Sequence, residues 1–181
     1  ACVTLAGVLN ALKLAGKQLP EVRIVMLGAG AAMTAIARLL IADGAYEDAH
    51  AWVSTAAAGN PQLELVLVTV ETEALMSAGR LELAEALLST NIGKYPNNAD
   101  LLFARALLSE QMGDMVKSEA DLRRVIELLP EDARALNHLG YTLADGSVHH
   151  AEALGLLERA IAISPDDPAI LDSLGWAQYK V

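Results

Sequence analysis

Two glycines sit where a phosphate could be held. The stretch 23–40 reads RIVMLGAGAAMTAIARLL: a short β-branched run meets Gly28-Ala29-Gly30, and an apolar helix-like segment follows. Glycines in such a turn let the backbone approach a pyrophosphate at a helix N-terminus, which is how a dinucleotide-binding site begins. The remainder of that site does not follow. The third glycine of the fingerprint falls at Met33, whose bulk crowds the close helix–strand contact. The acid that holds the ribose is due about 20 residues on. Glu47 and Asp48 stand there, in a segment that reads as a solvated helix face. One strand also cannot form the parallel sheet on which these sites are built.

The remaining reactive residues are scattered. His149 and His150 are adjacent, so their side chains point apart, and no cysteine or clustered carboxylate completes a metal shell. His50 and His138 read as isolated. Ser54, Ser89 and Ser118 have no paired His and Asp, so nucleophilic catalysis has no support. The acids of SPDDP (164–168) read as a turn and a helix cap, with Asp166 or Asp167 accepting backbone hydrogen bonds. Cys2 is the only cysteine, so no intramolecular disulfide can form. The expectation is no enzyme, no cofactor and no metal.

Helices must position whatever this chain uses. Prolines 61, 96, 130 and 165 recur at spacings of 35, 34 and 35 residues. Lacking an amide hydrogen, each punctuates a helical stretch. Gly44, Gly79 and Gly113 precede three of them at one offset. Apolar or small residues then recur three or four apart: Ala49 and Val53, Ala84 and Leu88, Leu122 and Val125, Ala153 and Leu157. The unit is therefore helix, Gly turn, helix, Pro turn, with one extra residue in the turn ADGSVHH. LELVLVTVETEALM (63–76) would read as a strand by itself, but the register makes it a first helix.

Composition agrees. The 181 residues are 54% hydrophobic but only 4% aromatic, which favours closely packed helices. No run of about 18 apolar residues suggests a membrane span. The net charge is −10, and no Lys/Arg cluster is present to displace phosphate counterions, so nucleic acid and acidic membrane surfaces are excluded as partners. Residues 1–44 carry +2 and residues 45–181 carry −12, which hints at two origins. The chain starts at Ala1 with no visible secretory leader, which predicts a processed product or an excised piece.

ALNHLGYTLADG, with Leu136, Leu139, Gly140 and Leu143, and AILDSLGWAQYKV, with Leu171, Leu174 and Gly175, resemble the first helix of the tetratricopeptide repeat. The resemblance spans residues 31–181. It implies a mainly α solenoid of about four and a half repeats, the last without its second helix. The block is also similar to bacterial envelope tetratricopeptide lipoproteins, adaptors that bring partners together. That likeness implies the periplasmic side of the envelope; without it the cytoplasm is expected. The opening ACVTLAGVLNALKLAGKQLPEVRIVMLGAGAA resembles the start of the NAD-binding domain of malic enzymes over 30–45 residues. Residues 1–30 are thus expected to be a helix, a strand at Val22–Leu27 and the glycine turn. The chain then reads as a natural or engineered chimera joined near residues 30–35. The lone strand has unpaired edges. It should pair with a second copy in a homodimer or be remodelled into helix.

In such arrays the first helices line a concave face that holds a peptide. The register places Arg38, Thr69, Glu73, Phe103, Leu107, Asn137, Tyr141, Asp172, Trp176 and Tyr179 there. Binding hot spots are rich in Trp, Tyr and Arg. The reading is a protein- or peptide-binding adaptor. The alternatives are a chimera with no function beyond folding and a partial NAD-binding module.

Overall fold

The computed structural model describes residue 38, residues 40–146 and residues 149–180. The expected helix, strand and glycine turn of residues 1–30, the junction near 30–35 and the strand-mediated dimer lie outside the described residues. Arg38 and residues 40–42 are helical. Then follow α1 (Tyr46–Ala57), α2 (Pro61–Ser77), α3 (Leu81–Lys94), α4 (Ala99–Gln111), α5 (Met115–Leu128), α6 (Ala133–Asp145), α7 (His150–Ile163) and α8 (Pro168–Lys180). Among the described residues there is no strand. The β-branched stretch 63–76 is helical within α2, as the repeat register requires.

Each helix end has a local cause. Gly44, Gly79 and Gly113 have φ of 81°, 71° and 82°, a left-handed conformation that costs other residues a Cβ clash. At each, the next amide reaches back five residues: Ala45 N–H donates to the Leu40 carbonyl at 2.8 Å, Arg80 to Leu75 at 2.8 Å and Asp114 to Ser109 at 2.8 Å. Gly146 instead stays right-handed at φ −71°, where the turn carries its extra residue. Helix starts are capped by side chains. Asn60, Asn98, Asp114 and Asp132 accept backbone N–H bonds at the starts of α2, α4, α5 and α6. Asp167 Oδ1 accepts from the Ala169 amide at 2.9 Å, so the expected cap in SPDDP is formed. Pro61 is itself the first residue of α2, the helical position where its missing N–H costs nothing.

The chain divides into two compact units, residues 1–91 and 92–181. In the described part of the first, α1 packs on α2. Its buried side chains include Leu40, Ile41, Ala49, Val53, Leu67 and Leu75. In the second, α4 pairs with α5 and α6 with α7, and α8 packs on both α6 and α7. One core runs through this unit, with Leu102, Leu122, Val125, Leu136, Leu139, Leu157 and Ile170 at its centre.

Equivalent positions in successive first helices show what the packing demands. Glu71, Ala106, Gly140 and Gly175 are spaced 35, 34 and 35 apart. A Cβ on Gly140 would lie 2.7 Å from Leu157 Cγ and 3.2 Å from the Ala153 carbonyl oxygen. Glycine is therefore required there for α7 to approach α6. A Cβ on Gly175 would meet nothing within 4 Å.

Candidate peptide-binding face

The expected site residues fall in both units. In the first, Arg38 and Glu73 form an exposed ion pair at 3.0 Å, and the Thr69 hydroxyl donates to the Val66 carbonyl at 2.8 Å. In the second, α4 supplies Phe103 and Leu107, α6 supplies Asn137 and Tyr141, and α8 supplies Asp172, Trp176 and Tyr179. Phe103, Leu107 and Asn137 are half-buried, while Tyr141, Asp172, Trp176 and Tyr179 are exposed.

Side-chain contacts link the three helices α4, α6 and α8. The Phe103 ring meets His138 edge-on, with centroids 6.0 Å apart. The Arg134 guanidinium lies 5.2 Å from the Phe103 ring centroid and bonds Asp100 at 3.1 Å. Trp176 and Tyr179 stack with centroids 5.9 Å apart. Lys180 Nζ sits 4.5 Å from the Trp176 ring centroid and 3.8 Å from Asp145. The face thus mixes aromatic rings with charge. Arg134 is held above its ordinary pKa, chiefly by its hydrogen bonds to Asp132. Burial works against the Asp132 carboxylate, yet bonds from Arg134 and the Ala135 amide outweigh it and lower its pKa.

Two histidines that read as isolated are not. His138 Nε2 lies 2.6 Å from Glu110 Oε2, a partner 28 residues away on α4. His50 Nδ1 lies 3.1 Å from Oε1 of Glu71, which is only 3% exposed. Burial pushes the Glu71 carboxyl up, and the nearby His50 offsets part of that rise. Spacing along one helix could not reveal either pair. Arg134, His138, Asp145 and Lys180, which make these contacts, are not among the residues expected from the sequence. The repeat register was the available signal, because these residues lie one turn from the expected ones on the same helices. No group of three or more His, Cys, Asp or Glu side chains that could hold a metal occurs among the described residues.

Comparison with known proteins accounts for this architecture. A tetratricopeptide-repeat protein of Pseudomonas aeruginosa is 38% identical over 142 residues, covering 78% of this chain and 24% of that protein. A crystal structure of a tetratricopeptide-repeat protein from Parabacteroides merdae superposes with a TM-score of 0.66 at 16% identity, covering 85% of this chain and 60% of that one. The helical hairpins of this chain have the tetratricopeptide-repeat fold. The start of the chain has another affinity. Residues 1–58 match the malic enzyme NAD-binding domain family. The NADP-dependent malic enzyme of Halomonas elongata is 62% identical over 45 residues, covering 25% of this chain and 11% of the enzyme. The chain therefore spans about a quarter of its tetratricopeptide relative and about a tenth of the malic enzyme. The malic-enzyme match runs into α1, which in this structure packs on α2 of the repeats.

Proposed function

We propose that this chain is a non-enzymatic adaptor whose second unit binds a protein segment on the face formed by the first helices α4, α6 and α8. One observation carries the reading. Phe103, Tyr141 and Trp176 occur on those three successive first helices, and Tyr141, which has first helices of the array on either side, remains exposed. A large ring left on the surface between packed helices suits an interface anchor.

The test is affinity capture from bacterial lysate with the intact chain and a Phe103→Ala, Tyr141→Ala variant, both shown folded by far-UV circular dichroism. A partner held by the intact chain and lost by the variant supports the reading. Equal capture by both chains, or none by either, overturns it. A second reading, a partial dinucleotide module, is favoured by the match of residues 1–58 to the NAD-binding domain. NAD that raises the Tm of the intact chain would support it. An unchanged Tm at millimolar NAD would leave the segment as a relic.

A further inference from the structure

Every first helix of the second unit places an aromatic ring one turn from a carboxylate: Asp100 and Phe103 on α4, Tyr141 and Asp145 on α6, Asp172 and Trp176 on α8. Two of these rings already hold a cation of the chain itself. Arg134 lies over Phe103 and bonds Asp100, and Lys180 lies over Trp176 beside Asp145. In both cases a cation is held by a ring face and a carboxylate together, and the carboxylate comes from the neighbouring first helix of the cation's own helix. Tyr141, 42% exposed, has no cation over its ring among the described residues. Asp172, exposed on α8, forms no ion pair among the described residues.

We propose that this face binds a partner segment carrying Lys or Arg beside apolar residues, with its cation seated between the Tyr141 ring and the Asp172 carboxylate and an apolar side chain against Trp176. The proposal rests on the adaptor reading and names the chemistry of its partner. Charge complementarity favours a cation. Residues 92–181 hold 14 Asp and Glu against 8 Lys and Arg. Both basic side chains on the face, Arg134 and Lys180, are already paired with carboxylates. An acidic segment would meet Asp145 and Asp172 without a free counter-charge on these helices.

Fluorescence anisotropy on the full chain tests this with three dye-labelled ten-residue peptides: alternating Leu and Arg, the same with Gln for Arg, and the same with Glu. A cation on an aromatic face contributes about 0.5–2 kcal/mol, so the Arg peptide should bind roughly twofold to thirtyfold more tightly than the Gln peptide. The Glu peptide should bind more weakly still. Tyr141→Ala and Asp172→Asn should each cost the Arg peptide several-fold, while leaving the circular dichroism spectrum unchanged. Raising the salt should weaken the Arg complex and spare the Gln one. If the Gln peptide binds as tightly as the Arg peptide and Tyr141→Ala weakens both, the cation seat is wrong and the adaptor face stands. If the Arg peptide binds but neither substitution matters, the seat and the face both fail. No binding of the Arg peptide at millimolar concentration also overturns the seat.

Discussion

Arg105 and Asp121 form a two-pronged ion pair, with both N–O distances at 2.7 Å. The following hairpin has Leu139 and Leu156 at the equivalent positions, both buried. Asp121 is 5% exposed and the Arg105 side chain 22%, so substituting Asp121 breaks a pair largely shielded from water. Asp121→Ala is expected to cost about 1.5–3 kcal/mol in urea unfolding, the loss of hydrogen bonds to a charged group. The double variant Arg105→Leu, Asp121→Leu copies the aliphatic pairing of the following hairpin and should recover most of that loss. Glu71 makes a pH-dependent case. Burial raises its folded pKa above the ordinary 4.5. Its contribution to stability is therefore full below that value and is lost as the pH rises through the folded pKa. Glu71→Gln should be more stable than the parent at pH 7, and the gap should close as the pH falls below about 4.5. A variant less stable at every pH would show that the bond to His50 outweighs the cost of burial.

At the scale of the helix, Gly140 and Gly175 share a repeat position but not a neighbourhood. Gly140→Ala forces a methyl against Leu157 and should destabilise by about 1–3 kcal/mol. Gly175→Ala adds a methyl in open space within α8 and should stabilise by up to about 1 kcal/mol, because alanine loses less backbone entropy in a helix. Thermal unfolding of the two variants beside the parent checks both signs. Equal effects would mean that α7 does not dock on α6 through Gly140. The caps are a second test. Asp114 accepts the Lys117 amide at 3.1 Å, and Asp114→Ala should cost about 1 kcal/mol.

At the scale of the molecule, the second unit carries its own core, from Leu102 on α4 to Ala177 on α8. A fragment of residues 92–181 is expected to be helical and to unfold in one cooperative transition, read by circular dichroism against urea. A broad, sloping transition would mean that this core does not hold together alone. Stability in a helical-repeat array is close to a sum of local terms and neighbour contacts, which is why such a piece can keep its fold. The exposed rings of α6 and α8 sit on that same unit, so the fragment should also retain the Arg-peptide affinity of the intact chain.

The repeat was legible because its signals are local. Four evenly spaced prolines, glycines that alone tolerate positive φ, and apolar residues three and four apart determine where each helix begins, ends and turns its buried side. That register overruled the β-branched character of 63–76, since α2 gains more from packing its apolar side than it loses in propensity. It also placed Phe103, Tyr141 and Trp176 on equivalent first helices. The pairings were decided by the tertiary structure. His50 finds Glu71, His138 finds Glu110, Arg134 finds Asp100 and Phe103, and Lys180 finds Asp145. These partners lie 21 to 35 residues apart. No periodicity within one helix encodes which charged side chain of a neighbouring helix will reach across. Only the docking of one helix on another brings those groups to within bonding distance.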